Sequence, residues 1–196
     1  MLNLVKVAVT GDIAAGKSTV CRYFKKFKTY VIDTDKVVHK LLSSNAFVMQ
    51  RVIKLLGKKI LRKGKIDRKK ISEKVFNDRK KLRSLEKIIC PYLWKELKER
   101  YEREKKRGKN KIFMVEMPLL FETKSEKFFD YIILISAEEK FLKERYKKKD
   151  FEKRRKRFMN IEKKIKKSDF VIFNNSTLKD LKKEIQKIKK EIFIYE

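Results

Sequence analysis

The stretch Gly11-Asp12-Ile13-Ala14-Ala15-Gly16-Lys17-Ser18 constrains this chain more than any other. Its spacing is G-x-x-x-x-G-K-S. Residues 4–10 before it are rich in Val and predict a buried strand. From Lys17 onward, Val20, Tyr23, Phe24 and Phe27 recur at helical spacing. A strand, a small-residue loop and a helix in that order form a Walker A phosphate cradle. Gly11 and Gly16 permit backbone torsions and close approach that a side chain would block. The loop amides, from Asp12, Ile13, Ala14, Ala15 and Gly16 to Thr19 at the helix start, then face phosphate oxygens. Lys17 reaches the β- and γ-phosphates, and the Ser18 hydroxyl suits Mg²⁺. Asp12 would repel phosphate if it pointed inward, so its side chain is expected to turn away. Ala14 makes the loop stiffer than glycine would. The motif specifies a nucleoside triphosphate and leaves the reaction open.

The rest of the chain decides the fold class. Residues 29–32 predict a second strand ending at Asp33, followed by a helix with Val37, Val38, Leu41 and Leu42 on one face. Residues 45–108 read as helices with no convincing strand. Val48, Val52 and Leu56 mark one apolar face, and Leu82, Leu85 and Ile89 another, stopped or kinked at Pro91. Strands return at 112–116, 131–135 and 170–173. The very basic stretch 140–167 reads as helical, and Thr177 can cap a last helix carrying Leu178, Leu181, Ile185 and Ile188. Alternating strands and helices predict an α/β fold with a five-stranded parallel sheet and helices on both faces. The expected organisation is a nucleotide-binding core of 1–44 and 110–196, with a helical insertion at 45–109 for a second substrate.

Charge narrows the partners less than it first suggests. The chain has 196 residues, with 56 Lys+Arg against 26 Asp+Glu and a net charge of +30. Such a chain can meet nucleic acid or smaller polyanions, or simply present a solvated lysine surface. No helix-turn-helix, aromatic RNA-binding signature or basic tail accompanies the charge. No apolar run nears the ~20 residues of a membrane span, and the first residues lack a signal-peptide layout. Cys21 and Cys90 make neither a disulfide framework nor a zinc site, so both are expected reduced in a cytoplasmic protein. His39, the sole histidine, is too isolated to read as a metal ligand and suits a surface or packing role.

At Asp33-Thr34-Asp35 the sequence reaches a second signature. A Walker A motif followed by D-x-D after the second strand resembles the dephospho-CoA kinase family. The family pattern T-G-G-I-G-S-G-K-S-T is met by residues 10–19, and V-I-D-A-D by residues 31–35. Glu116-Met117-Pro118-Leu119-Leu120-Phe121-Glu122 is similar to D/E-x-P-L-L-F-E, and residues 168–175 to A-D-x-V-I-D-N-N. The resemblance runs in order along nearly the whole chain. It implies a three-layer phosphate-loop fold that transfers the γ-phosphoryl of ATP to the 3′-hydroxyl of dephospho-CoA, with Mg²⁺. A nucleoside or nucleotide kinase of the same fold is the alternative, and a basic nucleic-acid-binding protein a more distant one.

The resemblance also implies roles. Asp35 is the expected base, with Asp33 as its support or a metal-shell residue, although either can instead cap the following helix. Glu116 is expected to hold Mg²⁺ with Ser18, or to serve as a cap or ion-pair carboxylate. Pro118, Leu119, Leu120, Phe121 and Glu122 border the acceptor, although Pro118 to Phe121 can also be read as a rigid turn with packing and Glu122 as a solvent-facing charge. A lid at about 145–160 offers Arg145, Lys149, Arg154 and Arg157 to ATP; Lys149 stands where the family usually has Arg, which removes a planar donor. Asn174 and Asn175 are expected at the adenine, with Ser176 in place of the family's Gly. Cys90 stands where His is common, so either that His is dispensable or another group, such as Arg83 or Lys87, compensates. Trp94 and Phe76 pack in the insertion or line the pantetheine path. The expected partners are ATP and dephospho-CoA, without specific nucleic acid or membrane, and the expected state is a monomer.

Overall fold

A computed structural model describes residues 4–75, 78–147, 149–156 and 158–194. In chain order the elements are β1 (Val5–Gly11), α1 (Lys17–Phe24), β2 (Thr29–Asp33), α2 (Thr34–Ser44) and α3 (Ala46–Leu56). Then come β3 (Leu61–Arg62), β4 (Lys65–Ile66), α4 (Arg68–Val75) and α5 (Arg79–Arg107). The chain continues through β5 (Ile112–Glu116), β6 (Tyr131–Ser136), α6 (Glu139–Arg145), α7 (Phe151–Arg155), α8 (Ile161–Ile165), β7 (Phe170–Phe173) and α9 (Leu178–Ile194).

Two compact units result: residues 1–33 with 104–196, and residues 34–103. The first is built on a five-stranded sheet ordered β2-β5-β1-β6-β7. All its pairings are parallel. Parallel strands are buried on both faces, and here Val7 and Val9 alternate with the equally buried Ala8 and Thr10. Val7, Val9, Ile112, Met114, Ile133 and Ile135 share one core with Val20 and Phe24 of α1 and Ile185 and Ile188 of α9. The side chain of Thr177 starts α9 by accepting from the Asp180 N–H at 3.3 Å. Because the chain leaves central β1 toward β2 on one side and later crosses back over it to β6 on the other, a crevice opens at its C-terminal end. The phosphate loop leaves the sheet there.

The second unit holds α2, α3, α4, the β3–β4 hairpin and most of α5. Asn45 caps α3 by accepting from the Val48 N–H at 3.0 Å. The expectation of helices alone in 45–108 is corrected by the hairpin, in which Leu61 pairs with Ile66 and Arg62 with Lys65. Its turn residues Lys63 and Gly64 have φ of 50° and 74°, the signature of a two-residue type I′ turn. Strands of two residues are too short to carry a period in the sequence. The expected stop or kink at Pro91 is corrected as to the stop. α5 runs unbroken for 29 residues with Pro91 inside it, although proline removes one donor. The stretch 140–167 is helical, as expected, and divides into three short helices, α6, α7 and α8. Among the described residues no helix is long and apolar enough to cross a membrane.

Candidate active site

The phosphate loop is shaped by two glycines whose side chains have nowhere to go. Gly11 has φ of 138°, and a Cβ there would lie 1.8 Å from the Ile135 carbonyl oxygen. Gly16 has φ of 105°, and its Cβ would lie 2.6 Å from the Asn174 side-chain amide. That amide donates to the Ala15 carbonyl at 2.8 Å, so Asn174 at the end of β7 clamps the loop. Ala14 adopts φ of 58°, a left-handed conformation that costs an L-residue about 1–2 kcal/mol.

Charges around the loop are arranged for an anion. The Asp12 carboxylate accepts from Ser136 Oγ at 2.6 Å, which ties it to the end of β6. Lys17 is 8% exposed, and its Nζ donates to the carbonyls of Asp12 at 2.7 Å and Gly11 at 3.2 Å. The first turn of α1 carries no acidic side chain, leaving its N-terminal dipole uncancelled.

Ser18 Oγ donates to Glu116 Oε1 at 2.7 Å. Glu116 closes β5 at 9% exposure, and its register neighbours are Val9 of β1 and Asp33 of β2. Neighbours in register point to the same face of a sheet, so Asp33 and Glu116 lie side by side. Cys21 lies under this group. Burial raises its thiol pKa well above the ordinary value, and the charges of Glu116 and Asp33 add to the rise. A hydroxyl and a carboxylate at hydrogen-bond distance fit Mg²⁺, a hard cation that keeps several waters and takes phosphate oxygens as well.

The loop residues Ala14 and Gly16 to Thr19 line an open cleft of about 460 Å³ together with Glu116, Arg145 and Asn174. Arg145 ends α6, its guanidinium 5.5 Å from the Phe141 ring centre. The cleft also includes Ser176, Leu178 and Leu181. Leu178 is 56% exposed, a large apolar side chain bared at the mouth of a polar site. The sequence signalled these residues only as a turn and a helix face.

Other predicted residues sit elsewhere. Among the described residues, the lining of this cleft does not include Lys149, Arg154 or Asn175. Asn175 instead holds Glu138 ahead of α6, accepting from its N–H at 2.8 Å and donating to its carboxylate at 3.0 Å. Arg154 pairs with Asp150 at 2.7 Å, and Lys149 is exposed. Arg157 and Phe76 lie outside the described residues. Asp35 is exposed in the first turn of α2, where a negative charge suits the helix dipole. Leu120 and Phe121 are buried, and Pro118 accepts from Thr10 Oγ1 at 3.3 Å. Glu122 is engaged by Lys164 at 3.0 Å. His39, Arg83 and Lys87 are exposed, while Trp94 and Cys90 are half-buried.

Comparison with known proteins agrees with this geometry. The family model described as dephospho-CoA kinase matches residues 5–180. A dephospho-CoA kinase of Protochlamydia amoebophila is 38% identical, with all of both chains covered. One of Chlamydia trachomatis serovar D is 40% identical, covering 95% of each. The structure of a dephospho-CoA kinase from Campylobacter jejuni superposes with a TM-score of 0.71 at 30% identity, covering 95% of this chain and 96% of the other. A phosphate loop of this build, the D-x-D at the end of β2 and a match spanning nearly the whole length place the chain in the dephospho-CoA kinase family.

Proposed function

We propose that the protein transfers the γ-phosphoryl group of ATP to the 3′-hydroxyl of dephospho-CoA, giving CoA and ADP, the last step of CoA biosynthesis. The observation that carries this reading is the single cleft in which the phosphate loop, the Ser18–Glu116 pair and Arg145 meet, in a chain of this family. Phosphoryl transfer asks the protein mainly to position groups and stabilise charge. Lys17 exchanges its two neutral carbonyl acceptors for phosphate oxygens, which form stronger, charge-assisted bonds. Arg145 approaches the triphosphate from the end of α6. Leu178 and Leu181 offer an apolar surface for the adenine, and Asn174 holds the loop in shape. Ser18 and Glu116 would hold Mg²⁺, which would neutralise charge on the β- and γ-phosphates.

Asp35 accepts the proton of the acceptor hydroxyl, with Asp33 as its support or as a residue that would join Glu116 in the metal shell. Pro118, Leu119, Leu120 and Phe121 form the border of the acceptor region. The setting is the cytoplasm, and the working form is a monomer.

An acceptor panel tests the proposal. ADP release with ATP and Mg²⁺ is expected with dephospho-CoA and not with nucleosides or nucleoside monophosphates; the reverse preference would move the chain to the nucleotide kinases. Asp35→Asn is expected to lower kcat by about 10²–10⁴ with little change in KM for ATP. Near-normal turnover of that variant would remove Asp35 as the base.

A further inference from the structure

The loop leaving β5 meets the end of the basic segment at one buried junction. Lys164 of α8 is fully buried, at 0% exposure. Its Nζ lies 3.0 Å from Glu122 Oε1 and 4.7 Å from the centre of the Phe158 ring. The same Oε1 accepts the Met159 backbone N–H at 2.6 Å. Glu122 Oε2 is buried with no hydrogen-bond partner among the described residues.

A buried ion pair is weak evidence for stability, because apolar side chains of similar volume often serve as well. An apolar pair cannot supply an acceptor for the Met159 N–H. The distinctive result of the pair is therefore a fixed backbone position between α7 and α8. Six residues before Glu122 stands Glu116, at the metal-binding end of β5. On the other side, the anchored segment begins at Arg145, which faces the cleft. The junction thus joins the two cleft-lining segments at a point outside the cleft.

We infer that Glu122 is a positioning residue. Held by Lys164, its carboxylate fastens the chain at Met159, the far end of the segment that begins at Arg145, so that Arg145 meets ATP in a fixed place. This rests on the proposed reading of that segment as a lid over the triphosphate.

Two double variants separate an anchor from a packing contact. Glu122→Gln with Lys164→Met removes both charges and keeps an acceptor for Met159. Glu122→Leu with Lys164→Met removes the acceptor as well. Both are expected to melt near the wild-type temperature. The Gln/Met protein should keep the wild-type KM for ATP. The Leu/Met protein should raise it about tenfold with KM for dephospho-CoA unchanged, and should speed amide exchange at Met159 by about tenfold or more. A Leu/Met protein with wild-type KM for ATP and slow Met159 exchange would overturn the inference, as would equal impairment of both variants. If neither folds, exchange on the wild-type protein decides: a Met159 amide as fast as an unstructured one contradicts the anchor. Direct titration of ATP binding accompanies these assays. Absence of dephospho-CoA turnover by the wild type would fail the proposed function, while ATP affinity and Met159 exchange still judge the anchor.

Discussion

At Ala14 an L-residue occupies φ of 58° within a loop whose neighbours Gly11 and Gly16 are held by steric necessity. Ala14→Gly relieves that conformation at the cost of a more flexible unfolded chain, and the first effect is the larger. The variant is expected to gain up to ~1 kcal/mol in urea unfolding; a loss of stability would contradict the strain. At Gly11 any side chain meets the backbone of Ile135, so Gly11→Ala is not tolerated in the same way. This part of the site was legible in the sequence, because a phosphate loop is defined by backbone torsions that only certain residue types permit. The Asn174 clamp on Ala15 was not. It joins residues 159 positions apart, and the sequence reading put Asn174 at the adenine or in an ordinary turn, not on the loop. Leu178 was misjudged for a related reason: an apolar residue at helical spacing predicts burial, yet it is bared beside the cleft.

Among the elements, the basic segment is helical as its sequence reads, but in three pieces. One long helix would need a continuous apolar face; Leu142, Phe151 and Lys164 instead bury three separate short helices. Ion pairs hold their surfaces together. Lys143 first, and then Arg155, keep the Glu139 carboxyl near a pKa of about 2 instead of 4.5. Because this value lies below that of the unfolded chain, the tether of α6 to α7 is complete above about pH 4.5 and fades as pH falls toward 2. Carboxyl titration by NMR should find Glu139 near 2, and Lys143→Met should return it toward the ordinary range. A Glu139 that titrates near 4.5 in the wild type would remove the tether. The five sheet strands were readable from their β-branched runs. The hairpin was too short to be seen, and the unbroken α5 was hidden by Pro91.

For the molecule as a whole, the net charge of +30 is mostly a property of helix surfaces. The cleft itself uses few of these cations, Lys17 and Arg145 foremost. Weak binding to duplex DNA is expected at low salt, lost between about 50 and 200 mM, and identical in Lys17→Ala. Binding that survives high salt or depends on Lys17 would give the charge a specific role. Family membership rests on the order of four motifs, which a sequence displays directly, whereas the proposed anchor depends on Glu122 and Lys164 meeting in space. The central claim is a phosphoryl transfer carried out in the Lys17 cleft. Its most direct measurement is ADP and CoA formation from ATP, Mg²⁺ and dephospho-CoA, for the wild type and for Lys17→Ala. Equal amounts of ADP and CoA from the wild type, with a loss of about 10²-fold or more in the variant, are predicted. ADP without CoA, or a variant as active as the wild type, would contradict the account.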